Sequence, residues 1–105
     1  MGEIVVLMTA GSEEEAKKIS GHLVQEGLAA CVNIVPGVRS IFRWEGRVTE
    51  EQEYLLIGKT VESAFEKFVE TVKAHHSYDV PEVIGLPVQG GNEDYLGWIR
   101  DVVKA

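Results

Sequence analysis

Two adjacent histidines, His75 and His76, are the residues whose type and position most directly suggest chemistry. They end a segment with helical apolar spacing, and imidazole is a common ligand of copper and zinc. Neighbours on a helix project roughly 100° apart, so both rings reach one ion only if the last turn unwinds. The alternative is a pair of surface side chains favoured by the negative end of the helix dipole. No Cys-x-x-Cys or His-Glu-x-x-His motif accompanies them, so the spacing alone does not establish a metal site.

The sulfur-containing residues add little support for a metal site at His75 and His76. Met8 ends the first apolar segment, where a methionine fills a core more often than it binds an ion. Cys31 lies in an apolar strand segment and, as the lone cysteine, has no disulfide partner within the chain. The segment 90–92 before a predicted helix is explained by a turn and a cap as well as by an anion site. No convincing set of nucleophile, base and acid is present, so we expect a protein without catalytic activity.

Length and composition exclude several classes of protein. The 105 residues are 45% hydrophobic and 26% charged, as expected of one globular domain over 1–105. The formal net charge of −7 repels nucleic acid and anionic membrane surfaces. No apolar stretch approaches the roughly 20 residues that span a bilayer. We therefore expect a cytoplasmic protein that binds neither nucleic acid nor membranes.

The first third of the chain predicts a strand followed by a helix. The apolar run over 4–8 is short and rich in β-branched residues, which suits a buried strand. Ser12 and Glu15 have the spacing of a capping box, in which each side chain binds a free amide of the first turn. An apolar stripe then predicts a helix over 12–27, with Gly27 as its stop.

A long hairpin is predicted in the middle of the chain. Apolar residues at even positions over 30–44 indicate one long strand. The pair at 45–46 suits a tight turn, and 48–59 resumes an extended pattern as the second arm. Pro36 interrupts the first arm, and because proline cannot donate to a ladder, we expect a bulge or an edge there.

The last third predicts helix, strand and helix. Thr60 is a candidate cap for a second helix that fades near 75–76. The segment 83–88 suits a fourth strand, and Asn92 suits the N-cap of a last helix. With right-handed crossovers, this order gives an α+β fold, a ferredoxin-like βαββαβ sandwich with a long central hairpin and an extra C-terminal helix.

This fold leaves one face of the sheet without helices, although the hairpin is apolar there too, at Val35, Ile41, Leu55 and Ile57. The arm over 30–44 reaches about 50 Å at roughly 3.3 Å per residue. A compact chain of this size is only about 34 Å across. We therefore expect a closed homo-oligomer that shelters the arms. The alternative is a hairpin that bends back on its own sheet at Pro36.

Several motifs occur together that no fold requirement explains. They are Ala-Cys-Val-Asn at 30–33, Trp-Glu-Gly at 44–46 and a His-x-Tyr-x-x-Pro-Glu loop at 76–82. Lys59-Thr60, Leu86-Pro87 and the segment GNEDYLGW at 91–98 accompany them. In this order the motifs resemble the CutA divalent-cation tolerance family, and the match covers nearly the whole chain.

The resemblance implies a homotrimer joined through its hairpins, with a cytoplasmic role in tolerance to copper and other divalent cations. In bacterial members, copper binding is attributed to a cysteine at the end of the first strand and two histidines after the second helix. These positions align with Met8, His75 and His76. A thioether suits Cu(I) but carries no charge and binds Zn²⁺ poorly, so the methionine weakens the implied site.

Similar trimers of the PII signalling type hold small anionic ligands in clefts between subunits, which gives a second hypothesis of a sensor or adaptor. The candidate residues for such a cleft are Asn33, Lys59, His76, Tyr78, Glu82 and Trp98. Packing and hydrogen bonding within a subunit interface explain the same residues equally well.

Overall fold

A four-stranded antiparallel sheet forms the centre of the protein in the computed structural model, which describes residues 2–104. Its strands, in the spatial order β2-β3-β1-β4, are β1 (Glu3–Ala10), β2 (Cys31–Trp44), β3 (Arg47–Val61) and β4 (Val83–Pro87). The helices are α1 (Glu13–Gln25), α2 (Phe65–His75) and α3 (Glu93–Val102). The predicted ferredoxin-like α+β fold with an additional C-terminal helix is confirmed.

The predicted N-cap side chains of α1 and α3 are confirmed, but the second half of the predicted capping box is not, because the Glu15 carboxylate accepts from the Gly11 amide. The Ser12 hydroxyl oxygen accepts from the Glu15 amide at 3.1 Å at the start of α1. The Asn92 side-chain oxygen accepts from the Asp94 amide at 2.9 Å at the start of α3. Gly27, just beyond α1, has φ of 74°, a conformation that side chains with a β-carbon seldom adopt.

The predicted cap at Thr60 is wrong. Thr60 lies within β3, is fully buried, and its hydroxyl donates to the Leu28 carbonyl at 2.6 Å. A short 3-10 turn over Glu62–Ala64 follows the strand, and no side chain caps α2. The pairing of Thr60 with a residue 32 positions away outcompetes the local cap, because a buried hydroxyl needs a partner.

A bulge in β2 changes which residues face the helices. Val35 pairs with Leu55, whereas Val38 pairs with Glu53, so β2 contains one residue more than β3 between these pairs. Side chains alternate with a period of two, and the extra residue reverses the alternation beyond the bulge. The expectation of one continuous even face over 30–44 is therefore corrected, while the expected bulge at Pro36 is confirmed.

The helices α1 and α2 cover one face of the sheet and form the core with it. Met8, Leu56 and Phe68 are buried there, with at most 1% of each residue exposed. A β-carbon at Gly58 would lie 3.1 Å from the Phe68 ring, so glycine permits the close packing of helix on strand.

The opposite sheet face, which we call the open face, is also largely apolar. Its strand residues include Val5, Leu7, Cys31, Asn33, Val35, Leu55, Ile57, Lys59, Ile84 and Leu86, as the strand pairing and the alternation place them. Val35, Ile84 and Leu86 are exposed by 38%, 49% and 45%. The protein measures 44 × 25 × 22 Å, and every residue of the hairpin tip over 41–48 is exposed. Among residues 2–104 no helix has the length and apolar character to cross a membrane.

Candidate functional site

Met8 lies in the core rather than at a surface site. It is on the helix-covered side of β1, between Leu56 of β3 and Val83 of β4, and only 1% of it is exposed. Its methyl carbon would lie 3.4 Å from a β-carbon at Gly58. The thioether therefore packs as core filling in this structure, and an ion could reach it only if the core opened.

The His76 side chain is fully buried just beyond the end of α2, and both of its ring nitrogens have backbone partners. Nδ1 lies 3.0 Å from the Tyr78 amide, which can only donate, so Nδ1 accepts. The ring proton is then on Nε2, which donates to the Thr9 carbonyl at 2.7 Å. No lone pair remains for a metal ion, and His76 instead ties the segment after α2 to the end of β1.

His75, the preceding residue, has a different environment. Its Nδ1 lies 3.0 Å from the Thr71 carbonyl, which can only accept, so Nδ1 carries the proton. Nε2 keeps its lone pair. The ring stacks on that of His22 from α1, with centroids 4.0 Å apart and planes 23° from parallel.

The three predicted metal ligands therefore do not present their donor atoms together. Within residues 2–104, no three His, Cys, Asp or Glu side chains are arranged to hold a metal ion. Of Met8, His75 and His76, only His75 offers a donor atom in the observed conformation.

Glu15 holds the His76 segment in place from the start of α1. One carboxylate oxygen accepts from the Ser77 amide at 2.6 Å, the other from the Gly11 amide at 3.3 Å, and His76 Nδ1 lies 3.7 Å away. Burial alone would raise the pKa of Glu15, but the hydrogen bonds from Ser77 and Gly11 outweigh it and lower the pKa below its usual value. The sequence identified Glu15 only as half of a capping box.

A pocket of about 800 Å³ lies between the hairpin and the segment 78–82. Its lining residues are Thr9, Ser40, Ile41, Phe42, Trp44, Thr49, Glu51, Glu53, Tyr78, Asp79, Val80 and Glu82. Four of them are acidic and none is Lys or Arg. The reversed alternation beyond the bulge brings the even positions of β2 to this pocket.

A partly buried hydrogen bond forms one wall of the pocket. The Tyr78 hydroxyl donates to a Glu53 carboxylate oxygen at 2.7 Å, and Glu53 is 5% exposed. Burial, with the adjacent Glu53 carboxylate, raises the pKa of Tyr78 well above its usual range. Burial and the charge of Glu53 also raise the pKa of Glu82. The pocket therefore repels anions and favours neutral or cationic groups.

The remaining cleft candidates, Asn33, Lys59 and Trp98, do not line this pocket. The Lys59 ammonium donates to the Asn33 side-chain oxygen. Trp98 of α3 packs against Tyr95, with ring centroids 5.5 Å apart. Burial, together with the nearby Cys31 thiol, raises the pKa of Tyr95. Within one chain, the predicted cleft residues thus form two groups, with Tyr78 and Glu82 at the pocket and Asn33, Lys59 and Trp98 apart from it.

Sequence reasoning missed Glu53 and His22. Glu53 belongs to an acidic stretch of β3 that resembles a solvated strand face, and its partner Tyr78 lies 25 positions away in a loop, so no local pattern indicates the contact. His22 lies 53 positions before the ring on which it stacks. Its place in the last turn of a helix, four residues before Glu26, was the one signal available.

Comparisons with known proteins agree over nearly the whole chain. The family described as CutA1 divalent ion tolerance protein matches residues 4–102. A divalent-cation tolerance protein CutA of Thermus thermophilus is 57% identical over 99 residues, covering 94% of this chain and 96% of that protein. A chloroplastic Protein CutA 1 of Oryza sativa is 52% identical over 101 residues, covering 96% of this chain and 57% of that longer protein.

The similarity extends to solved structures. The Thermus thermophilus divalent cation tolerance protein superimposes with a TM-score of 0.96 at 55% identity, covering 97% of this chain and 99% of that one. CutA1 from Oryza sativa gives the same TM-score at 49% identity, covering 99% of this chain and 95% of that one. Sequence and backbone therefore point to the same set of relatives.

Proposed function

Because the chain belongs to the CutA1 divalent ion tolerance family, we propose that it is a cytoplasmic homotrimer that contributes to divalent-cation tolerance by binding metal ions, copper among them. The observation that supports metal binding is the hydrogen bond of His75. Its Nδ1 donates to a backbone carbonyl, so the imidazole lone pair on Nε2 stays free. Imidazole suits copper and zinc alike.

Met8 and His76 enter this proposal only through a rearrangement. His76 has to release either the Thr9 carbonyl or the Tyr78 amide before it offers a lone pair. Met8 has to leave the core. We therefore propose that His75 makes the first contact with the ion and that the other two follow only if the segment after α2 opens.

The open face supports self-association. Monomeric soluble proteins seldom expose large contiguous apolar patches, and here all four strands contribute apolar residues to one face. The exposed hairpin tip adds apolar side chains at Ile41, Phe42 and Trp44. Three copies, rather than two, is the number that the family resemblance implies.

No other function class is favoured as strongly. Binding of a small anion, as in a PII-like sensor, is disfavoured at the pocket because Glu51, Glu53, Asp79 and Glu82 line it. We propose no catalytic activity, in keeping with the family description as a divalent ion tolerance protein. The lone cysteine, which has no disulfide partner in the chain, suits the reducing environment of the cytoplasm.

Calorimetric titration tests the metal proposal. Cu(I), Cu(II) and Zn²⁺ are titrated into the wild type, His75→Ala and Lys73→Ala, which removes a second basic side chain of the same helical turn. We expect His75→Ala to weaken binding by about tenfold or more, the usual effect of losing a metal-site residue, and Lys73→Ala to leave it unchanged. Equal affinities of the wild type and His75→Ala would contradict the proposal.

Sedimentation equilibrium tests the assembly. The wild type should give the mass of three 11.6 kDa chains, and Leu86→Glu on the open face should dissociate it, because a charge is costly in a buried apolar interface. Val24→Glu is the matched control, since Val24 and Leu86 are each exposed by 45% but Val24 lies on α1. A stable 11.6 kDa wild-type monomer would contradict the trimer.

A further inference from the structure

The imidazole rings of His22 on α1 and His75 on α2 stack where the two helices meet. The family resemblance pointed to His75 but not to His22. His22 lies in the last turn of α1, and His75 is the last residue of α2. Each ring is carried by a helix rather than a loop, so the two donor groups are positioned by rigid elements.

The surroundings of the two rings favour a free lone pair on the same nitrogen of each. His75 Nδ1 donates to the Thr71 carbonyl, so its Nε2 keeps the lone pair. His22 Nδ1 lies 3.4 Å from a Glu26 carboxylate oxygen, and this nearby negative charge favours the proton on Nδ1 rather than on Nε2. Histidines that bind metal ions typically donate their other N–H to a carboxylate or a backbone carbonyl, as His75 does here.

We propose that His22 and His75 together bind a divalent ion of the Zn²⁺, Cu²⁺ or Ni²⁺ class through their two Nε2 atoms. This inference rests on the proposed metal-binding function and names a second ligand for it, from α1 instead of the adjacent position 76. Such borderline ions select imidazole nitrogen over the carboxylate and water ligands that Mg²⁺ and Ca²⁺ prefer.

The ion enters from solvent, since 43% of the His22 side chain is exposed. The ring centroids are 4.0 Å apart, so binding requires the rings to turn about their side-chain torsions until both Nε2 atoms lie about 2.1 Å from one ion. Water completes the coordination, with Glu26 orienting His22 from behind. A site with two protein ligands agrees with the finding that residues 2–104 contain no preformed cluster of three.

Zn²⁺ titration of the full chain tests this site with matched variants. His22→Phe keeps an aromatic ring in the stack but removes the lone pair, and Lys18→Phe places the same ring one helical turn earlier on exposed α1 surface. His22→Gln serves as a second variant if the phenylalanine perturbs the fold. Side-chain NMR of the histidines under Zn²⁺ reports which nitrogens bind.

We expect His22→Phe, His22→Gln and His75→Ala each to weaken Zn²⁺ binding by about tenfold or more, and Lys18→Phe to have no effect. The Nε2 resonances of both His22 and His75 should shift in the wild type, while those of His76 stay unchanged. If His75→Ala weakens binding but both His22 variants bind Zn²⁺ within about twofold of the wild type, the two-histidine site is overturned and the proposed metal-binding function survives. If the wild type binds no metal ion, both are overturned.

Discussion

His75 and His76 are neighbours in the sequence but lie in different environments. His76 is fully buried and both of its ring nitrogens bind the backbone of distant or following residues. His75 faces α1, keeps one free nitrogen and contacts His22. Two histidines that are adjacent in the sequence therefore need not chelate one ion. The chain leaves the helical conformation between these two, so the His76 ring bonds to the backbone while the His75 ring faces α1.

The largest effect that tests this comparison is expected from His76→Ala. The substitution leaves a cavity and removes the partners of the Thr9 carbonyl and the Tyr78 amide. We expect the free energy of unfolding to fall by about 2–4 kcal/mol. Urea unfolding at a fixed protein concentration measures it. His75→Ala is the control and should cost less than about 1 kcal/mol; similar losses for both variants would refute the structural role of His76.

Tyr78→Phe should have the next largest effect, on the same segment. It removes the hydroxyl that donates to Glu53, leaving a nearly buried carboxylate without that donor. We expect a loss of about 1–3 kcal/mol in urea unfolding. Glu53→Gln should cost less, since the amide oxygen still accepts from Tyr78. A double-mutant cycle that gives no coupling between the two residues would show that the hydrogen bond contributes nothing.

The stabilising effect of the Glu15 carboxylate should appear in how the free energy of unfolding depends on pH. Its lowered pKa means that the folded state holds the carboxylate in its charged form, so the stabilisation is present at neutral pH. It is lost as the pH falls below the ordinary value of 4.5 and through the lower folded pKa. Glu15→Gln should lower the free energy of unfolding by about 1 kcal/mol at pH 7 and by much less at pH 3.

Unfolding measured in urea from pH 3 to pH 7 checks this prediction. Glu14→Gln is the matched control, because Glu14 is an exposed glutamate of the same helical turn. A loss in Glu15→Gln that does not depend on pH would contradict the proposed link between Glu15 and the His76 segment.

The smallest expected effect belongs to Glu82, at the rim of the pocket. Its pKa is raised by burial and by Glu53, so ionisation at neutral pH slightly destabilises the folded state. Glu82→Gln should raise the free energy of unfolding by less than about 0.5 kcal/mol at pH 7, as expected for an exposed residue, and should leave it unchanged at pH 3. A loss of stability at pH 7 would mean that the carboxylate makes a favourable contact instead.

Local signals in the sequence were enough for most of the fold. The caps at Ser12 and Asn92 act between residues two or three positions apart, so their spacing alone predicts them. The bulge at Pro36 was equally visible, because proline cannot donate to the ladder. The reversal of the side-chain alternation beyond the bulge could not be predicted, since whether one extra residue is inserted depends on how the opposing strand pairs.

The candidate site was less predictable, for the same reason of distance along the chain. Thr60, predicted to cap a helix, binds Leu28 instead, and His76, whose metal binding stays a prediction, bonds to Thr9, 67 positions away. His75 was recognised, yet its stacking partner on α1 was not. Each of these contacts joins separate elements, and no periodicity along one element reports it.

The sequence by itself determined the order of the elements, the apolar faces they bury and the family to which the chain belongs, because these follow from residue types at short spacing. Only the tertiary structure decided which imidazole nitrogens have partners, which carboxylates lie together in the pocket and which side chains the bulge turns over. Those outcomes depend on contacts between residues far apart in the chain, where burial makes an unpaired polar group costly and so selects one partner among many.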